Sequence, residues 1–366
     1  MKDINFLLLQ LKTGGGSRVI IDLANQLAND DYNVKIIYPN ISEEKISFEI
    51  NKKIQLIKIG EKRKTFLNKI FNFILFFFKV NKLKQEKIIL TDPLMCIFSF
   101  LFFSDNQYYR FIQADDYIIF DDLKLLKYRI ILWIYKKLTI ISYKNKKMKF
   151  IFNSKIVYER FLNLSNRKDV KFNLVYPTID NKQFFNMNLR EENKINLGIV
   201  ARKVPWKGFV TFVNVIKNID EKIKEKINKI YIISHDDLSE FDLNQIPNKK
   251  IIIPKDDKEI CKAYNCIDIF ISTSWFEGFG LPPLEALKCG CAVISSDSKG
   301  IDEYAVEGLN CLKFEPKNEK QLKELIEKLI LNNKLRKKLQ ENSIESVKSF
   351  SKENSLKQFK KILQES

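Results

Sequence analysis

The sequence predicts an α/β protein built from two doubly wound domains. Short apolar runs rich in β-branched residues alternate with segments of helical periodicity, first between residues 3 and 176 and again between residues 195 and 314. Glycine-rich turns follow predicted strands at residues 14–16 and 278–280, at the strand ends where such domains bind ligands. The length of 366 residues also suits two domains.

The predicted strands of the first domain are short, mostly apolar runs, and a long amphipathic helix is predicted at residues 123–141. Pro177 breaks the last strand, so the first domain is predicted to cover residues 1–178. Its strands are predicted at residues 3–9, 34–38, 54–59, 87–90, 108–112, 150–152 and 170–176.

A polar, asparagine-rich segment at residues 179–193 reads as an interdomain linker. The second domain is predicted to cover residues 194–350. Its strands are predicted at residues 195–202, 229–234, 250–253, 267–272, 291–295 and 310–314.

The composition limits the class of protein. A net charge of +18 suggests an anionic partner such as nucleic acid, anionic lipid or a phosphate-bearing substrate, although the abundance of Lys, Ile, Asn and Phe also fits a compositional bias. The six cysteines are scattered, without a Cys-x-x-Cys pair, and there is one histidine. A zinc site or a disulfide framework is therefore not expected, and a reducing cytoplasm fits better. The apolar run at residues 5–9 is too short for a signal peptide.

The first glycine turn consists of Gly14, Gly15 and Gly16 and lies between the first strand and a helix for which Ser17 is the expected N-cap. Such a turn could cradle a phosphate or a sugar, or it could be a plain connection between a strand and a helix. It lacks the third spaced glycine of the dinucleotide-binding fingerprint.

Lysines flank an apolar run at residues 73–78. This run is far shorter than the ~20 residues that span a bilayer. The segment from residue 62 to 79 could be an interfacial helix that contacts an anionic membrane, or a buried helix with an exposed lysine edge.

Two further segments place charged residues at strand ends. Asp115 and Asp116 follow the strand at residues 108–112, where each could be a loop acid or a helix N-cap. Arg202 ends the first strand of the second domain, and Lys207-Gly208 opens the next helix. Two cations there could neutralise a diphosphate, or they could be solvated charges.

The most informative stretch runs from Trp275 to Ala286. Gly278 and Gly280 permit a tight turn after a buried strand, and Pro282 or Pro283 suits the first turn of a helix. The amides of a helix N-terminus favour anions. Glu277 and Glu285, eight positions apart, are suited to accept hydrogen bonds from sugar hydroxyls.

The pair Glu277 and Glu285 resembles the Glu-(seven residues)-Glu signature of retaining GT-B glycosyltransferases of group 1, also called glycosyltransferase family four. The segment from Gly198 through Arg202 to Lys207-Gly208 resembles the family's Gly-x-x-x-Arg-x-x-x-x-Lys-Gly pattern. The resemblance implies two Rossmann-like domains that face a central cleft, with the last helix, residues 351–366, packed back on the first domain.

The resemblance also implies roles for the donor-binding residues. Glu285 would hold the ribose hydroxyls, and Glu277, with the amides of Phe279 and Gly280, would contact the transferred sugar. Arg202, Lys207 and the amides near Leu281 would stabilise the departing diphosphate. Residues 253–255, including Pro254, would face the base, and Gly14, Gly15 and Gly16 would lie against the donor.

The acceptor side departs from the family pattern. A histidine often stands at the strand end that here reads Gln113 to Tyr117. Some branches of the family, including rhamnosyltransferase-like ones, have Gln-Asp-Tyr-Glu at this strand end, and Gln113, Asp115 and Asp116 resemble that motif. Asp115 or Asp116 is therefore the candidate acceptor base.

The expected activity is that of a retaining hexosyltransferase. It would move a sugar from a nucleotide-diphosphate sugar to a glycan or lipid-linked acceptor in cell-surface polysaccharide synthesis, at the cytoplasmic membrane face. No cofactor beyond the donor substrate is expected, and no metal, because no Asp-x-Asp motif occurs. The alternatives are another GT-B enzyme, such as an epimerase or a phosphorylase, and a basic nucleic-acid-binding protein. Known nucleic-acid-binding modules are not recognisable, so no nucleic-acid partner is expected.

Overall fold

The structure is a computed structural model that describes residues 3–11, 14–41, 49–61, 65–83, 86–92, 95, 107–114, 129–180, 182–191 and 195–365. The chain divides into two compact units. Unit 1 comprises Met1–Thr178 and Lys352–Ser366, and unit 2 comprises Ile179–Ser351. The elements below are numbered in chain order over the described residues.

The described strands of unit 1 form a six-stranded parallel sheet in the order β3-β2-β1-β4-β5-β6. The strand order reverses between β1 and β4, which places the glycine turn after β1 at the carboxyl edge of this switch point. The strands are β1 (Asp3–Leu7), β2 (Asn33–Pro39), β3 (Gln55–Ile59), β4 (Lys87–Leu90), β5 (Gln107–Ile112) and β6 (Met148–Phe152).

Unit 2 repeats the arrangement. Its described strands form a six-stranded parallel sheet in the order β12-β11-β10-β7-β8-β9, which reverses between β7 and β10. The strands are β7 (Ile195–Val200), β8 (Ile227–Ile233), β9 (Lys249–Ile252), β10 (Ile269–Ser272), β11 (Ala292–Ser296) and β12 (Cys311–Phe314). The predicted class, α/β with two doubly wound sheets, is therefore confirmed.

Helices cover the sheets, and in most of them the buried residues recur at the 3.6-residue spacing of a helix face. In unit 1 they are α1 (Gly15–Asn29), α2 (Phe66–Val80), α3 (Arg129–Ser142) and α4 (Lys155–Ser165). In unit 2 they are α5 (Phe209–Lys217), α6 (Glu221–Lys224), α7 (Asp257–Asn265), α8 (Leu281–Lys288), α9 (Glu319–Leu331) and α10 (Asn333–Ser346). The last helix, α11 (Lys352–Gln364), returns to unit 1.

α11 completes the core of unit 1. The Phe359 ring stacks on Phe6 of β1 with the ring centroids 6.2 Å apart. The Ser355 hydroxyl donates to the Tyr176 carbonyl oxygen at 2.7 Å, and the Lys352 ammonium lies 3.2 Å from the Asp22 carboxylate on α1. The final helix is thus held by apolar and polar contacts together.

Two local predictions differ from the structure. Residues 170–176, predicted to be a strand, form only one isolated bridge, between Leu174 and Phe152 of β6. The Asn173 side-chain amide donates to the Phe150 carbonyl oxygen at 2.9 Å and replaces a ladder bond at this sheet edge. The helix α1 begins at Gly15 with Gly14 as its N-cap, so Ser17 lies inside the first turn and the predicted cap is wrong.

The segment read from the sequence as a linker is held against unit 2. The Met187 amide donates to the Asn265 side-chain oxygen at 2.6 Å. Arg190 donates through Nε to the Ile267 carbonyl oxygen at 2.7 Å and through Nη2 to that of Cys289 at 2.8 Å. These bonds tie residues 182–191 to the helices α7 and α8 and to the start of β10.

Asp268, directly before β10, carries a buried charge. Its carboxylate accepts the Asn196 amide at 2.9 Å, and burial raises the pKa of the Asp268 carboxyl above the ordinary value of 3.8. The folded state therefore binds this proton more tightly than the unfolded state does. The contribution of Asp268 to stability is greatest below pH 3.8 and is lost as the pH rises through the folded pKa.

We expect Asp268→Asn to raise the free energy of unfolding at neutral pH, because the asparagine oxygen still accepts the Asn196 amide without a buried charge. Asp242→Asn is the matched control. The Lys217 ammonium lowers the pKa of the Asp242 carboxyl, so this change removes stability above the ordinary pKa. Urea unfolding at acidic and neutral pH measures both. A loss of stability in Asp268→Asn at neutral pH contradicts the assignment.

Candidate functional site

The reversal of strand order in unit 2 brings two loops together. β7 and β10 are neighbouring strands, and the chain continues from β7 to β8 on one side and from β10 to β11 on the other. The loops at the carboxyl ends of β7 and β10 therefore lie side by side at the point where such sheets bind ligands. We name them the β7 loop, residues 201–208, and the β10 loop, residues 273–280. They hold most of the donor-binding residues that the sequence predicts in this unit.

The two loops are joined by backbone and side-chain contacts. The Trp275 amide donates to the Trp206 carbonyl oxygen at 2.7 Å, and the Thr273 hydroxyl donates to the Lys207 carbonyl oxygen at 3.1 Å. Beyond these bonds, the Lys207 ammonium lies 2.5 Å from a carboxylate oxygen of Glu277. The structure therefore pairs a predicted phosphate-binding cation with a predicted sugar-binding carboxylate.

Gly208 makes this approach possible. It adopts a left-handed conformation with φ +64°, and a Cβ atom at this position would lie 2.0 Å from the Thr273 carbonyl oxygen. Backbone oxygen cannot move aside as a side chain can, so any larger residue would separate the loops. Glycine here determines whether Lys207 reaches Glu277.

Arg202 is held by a residue that the sequence analysis missed. Its Nε donates to an Asp236 carboxylate oxygen at 2.9 Å, and the Lys203 amide donates to the same oxygen at 2.9 Å. Asp236 follows β8, the strand beside β7. Burial acts to raise the pKa of the Asp236 carboxyl, but the Lys203 amide and the Arg202 guanidinium outweigh it and lower this pKa. The terminal nitrogens of Arg202 carry its other donors.

The β10 loop ends at the N-terminus of α8. Gly280 caps the helix with φ +84°, and its carbonyl oxygen accepts a hydrogen bond from the buried Tyr304 hydroxyl. The Phe279 ring is buried against Tyr304, with the centroids 5.4 Å apart. The ring of Phe279 is thus structural, and the backbone amides of Phe279, Gly280 and Leu281 are the groups that the predicted roles require.

A short 3-10 helix, Gly300–Glu303, supports this loop from below. A Cβ atom on Gly300 would lie 2.4 Å from the Glu277 carbonyl oxygen, so only glycine permits the contact. The Glu277 amide donates to the Ser298 carbonyl oxygen at 3.0 Å. Lys299 adopts φ +67° and contacts the Asp297 carboxylate through its ammonium.

Glu285 lies on α8 and is buried. Its carboxylate accepts a hydrogen bond from the Tyr264 hydroxyl of α7 at 2.9 Å. Burial and the Glu285 charge raise the pKa of Tyr264 well above its ordinary range, so the hydroxyl remains a donor. Burial also raises the pKa of Tyr304, and the negative charges of Glu277 and Glu285 raise this pKa further. Both carboxylates therefore act on the same tyrosine.

Pro254 lies farther from the β7 and β10 loops than the other predicted donor-binding residues of unit 2 do. It is buried after β9, and β8 separates β9 from β7 in the sheet. The neighbouring Ile253 is 70% exposed. The structure thus places this predicted base-binding segment along the same carboxyl edge of the sheet, two strands from the β7 loop.

In unit 1, the glycine turn lies beside the end of β5. A Cβ atom on Gly16 would lie 3.5 Å from the Gln113 side-chain oxygen, whereas one on Gly14 would meet nothing within 4 Å. Asp115 and Asp116 lie outside the described residues, so their predicted role stays a prediction. The expected absence of a cofactor and of a metal also remains a prediction.

Comparison with known proteins supports the resemblance. Residues 180–346 match the family model of glycosyl transferases group 1. The uncharacterized glycosyltransferase MJ1069 of Methanocaldococcus jannaschii is 33% identical over 180 residues, which cover 47% of this chain and 46% of that protein. The serotype-specific mannosyltransferase WbdA of Escherichia coli is 30% identical over 114 residues, covering 30% of this chain and 14% of WbdA. The chain spans about half the length of the first curated relatives it matches.

Solved structures resemble the whole chain. Sucrose-phosphate synthase from Thermosynechococcus elongatus superposes with a TM-score of 0.83 at 16% identity and covers 100% of this chain and 99% of its own. WaaG, a glycosyltransferase involved in lipopolysaccharide biosynthesis, gives a TM-score of 0.80 at 14% identity, with 99% and 100% covered. Anabaena HepE in complex with UDP and glucose gives 0.75 at 14% identity, with 100% of both chains covered. The predicted GT-B fold and the resemblance to group 1 glycosyltransferases are confirmed.

We expect Gly208→Ala to destabilise unit 2 by about 1–3 kcal/mol more than Gly308→Ala does, because only the first adds a clash with backbone. The two glycines have similar φ angles of +64° and +72°, but a Cβ atom on Gly308 would meet nothing within 4 Å. The shared conformational cost therefore cancels in the comparison. Denaturant unfolding of both variants measures the difference, and equal losses contradict the proposed contact.

Proposed function

We propose, from the match of residues 180–346 to group 1 glycosyltransferases, that the chain is a retaining glycosyltransferase. It transfers a hexose from a nucleotide-diphosphate sugar to a hydroxyl of a glycan or lipid-linked acceptor. The observation that carries the proposal is the Lys207–Glu277 pair, held by two joined loops at the switch point of unit 2.

The cations in this proposal act on the leaving group. As the glycosidic bond to the diphosphate stretches, negative charge grows on the phosphate oxygens. Arg202, Lys207 and the backbone amides near Leu281 stabilise that charge where it develops. Pro282 and Pro283, which follow Leu281 in α8, have no N–H to donate. The Lys207 ammonium has three donors, so it can contact Glu277 and a phosphate together. With these groups in place, the proposal requires no metal.

The carboxylates act on hydroxyl groups. Glu277 accepts hydrogen bonds from the transferred sugar, and Lys207 holds its carboxylate in position. Glu285 accepts from the ribose, while the Tyr264 hydroxyl occupies one of its acceptor positions and orients the rest. Tyr264 is thus a positioning residue for donor binding. Residues 253–255, including Pro254, contact the base.

Unit 1 contributes the remaining residues of the proposal. Gly14, Gly15 and Gly16 contact the donor, and Asp115 or Asp116 activates the acceptor hydroxyl. The rhamnosyltransferase-like identity of the acceptor side rests on the residues from Gln113 to Asp116 alone. The nucleoside diphosphate donor is supported by HepE, a protein of the same fold whose structures hold UDP, UDP with glucose, or UDP-glucose.

The proposed process is the synthesis of cell-surface polysaccharide. This proposal is supported by the names of WbdA, a serotype-specific mannosyltransferase, and WaaG, which takes part in lipopolysaccharide biosynthesis. It includes a cytoplasmic location and contact with an anionic membrane. Among the described helices, none combines the length and apolar character needed to cross a bilayer.

We expect the purified chain to release nucleoside diphosphate from one member of a panel of nucleotide sugars, and Arg202→Ala and Lys207→Ala to lower kcat/KM by roughly 100- to 1,000-fold. Lys203→Ala is the matched control, since it removes the same charge from the β7 loop, where Lys203 pairs with Asp237 at 3.7 Å. Glu285→Gln is expected to raise KM for the donor.

The product's anomeric configuration, read by NMR, tests retention. An inverted anomeric configuration would contradict the retaining mechanism but not the assignment as a glycosyltransferase. Turnover that is equal in Lys203→Ala and Lys207→Ala would refute the assigned role of Lys207. Binding of RNA without turnover of any donor would favour the nucleic-acid alternative.

A further inference from the structure

Helices α2 and α3 cover the same face of the unit 1 sheet. Phe76, Phe77 and Val80 of α2 are buried in one core cluster, against which Leu132 and Ile140 of α3 also pack. Because both helices turn one side toward this common core, their opposite sides face outward from the same surface of the unit.

The outward side of α2 is apolar. Ile70, Phe71, Ile74 and Phe78 have exposed fractions of 43%, 62%, 48% and 65%. Their spacing of one, four and eight residues from Ile70 places them on one stripe, away from the stripe that enters the core. The sequence could not distinguish which apolar residues of this helix are buried, because both stripes are rich in phenylalanine.

The outward side of α3 is more apolar than its inward side. Ile130, Ile134, Leu138 and Ile141 repeat at helical spacing and are exposed, with Ile130 reaching 77%, and Trp133 is 60% exposed. In contrast, the side toward the core buries the polar residues Thr139 and Ser142. A soluble amphipathic helix shows the reverse arrangement. Contiguous exposed apolar surface of this kind marks an interaction site.

The charged residues on the two helices are all basic. Neither α2 nor α3 contains an acidic residue. The Lys137 ammonium lies 5.7 Å from the Trp133 ring centroid. Within the described residues, the exposed basic residues on these helices or up to seven positions after them are Lys69, Lys79, Lys82, Arg129, Lys137, Lys144, Lys146, Lys147 and Lys149.

We propose that the outward faces of α2 and α3 together dock unit 1 on an anionic lipid bilayer, with both helices in the interfacial plane. Apolar residues enter the boundary of the acyl chains, Trp133 lies at the headgroup level, and the lysines meet anionic headgroups. This deepens the membrane contact of the proposed function by adding a second helix and a defined face, and it does not depend on sugar transfer.

The first test is flotation of the full chain with vesicles. Vesicles that contain phosphatidylglycerol are expected to carry the protein upward, and vesicles of phosphatidylcholine alone are expected not to. Added salt lowers the bound fraction because it screens the lysines. The emission of Trp133 shifts to shorter wavelength on binding, and Trp133→Phe abolishes this shift. Equal binding to both kinds of vesicle, or to neither, overturns the proposal.

Substitutions then locate the face. Ile130→Asp and Phe71→Asp are each expected to weaken vesicle binding at least tenfold, and the combined change of Lys144, Lys146 and Lys147 to Gln about a hundredfold. Leu331→Asp is the matched control, because Leu331 is a 62% exposed apolar residue at the end of α9 in unit 2. It is expected to leave binding unchanged. If it weakens binding as much as Ile130→Asp does, the assigned face is wrong.

Two further measurements separate this proposal from its competitors. Release of nucleoside diphosphate in the absence of vesicles is expected to be unaffected by the α2 and α3 variants, so loss of vesicle binding and loss of the proposed activity remain distinct results. Light scattering gives the oligomeric state. If the wild type is dimeric and Ile130→Asp is monomeric, the face joins two copies of the chain and the bilayer proposal fails.

Discussion

The close approach of two loops, backbone to backbone, is the constraint on which the candidate site depends. Gly208 lies so near the Thr273 carbonyl oxygen that no side chain fits between them. The Trp275 amide donates a hydrogen bond to the Trp206 carbonyl oxygen and joins the same two loops a second time. The Lys207–Glu277 contact is the third link between them. The parallel sheet makes the two loops neighbours by reversing its strand order between β7 and β10, and glycine allows them to touch.

Each charged group of the site is held by a neighbouring element before any ligand arrives. Asp236, after β8, holds Arg202, and Tyr264, on α7, donates to Glu285. Such prior orientation matters because a group already in place stabilises developing charge without the cost of reorganising during the reaction. The proposed catalytic role of the cations and the observed structural role of their partners are therefore parts of one arrangement.

The two units use their surfaces differently. Unit 2 places its distinctive polar residues at the carboxyl edge of a sheet, whereas unit 1 presents apolar and basic residues on the outward faces of α2 and α3. Part of the net charge of +18 is concentrated in the lysines between Lys144 and Lys149, which follow α3. The proposed site for a phosphate-bearing donor and the proposed contact with an anionic bilayer therefore belong to different units.

The sequence by itself determined what depends on short-range patterns. β-branched runs predicted the strands. Gly278 and Gly280 predicted the turn, and Pro282 or Pro283 predicted the start of α8, because backbone sterics and side-chain periodicity act over a few residues. Only the tertiary structure decided which distant residues meet, such as Tyr264 with Glu285 and Asp236 with Arg202. It also decided that α3 turns its isoleucines outward, since burial depends on the packing of the whole unit.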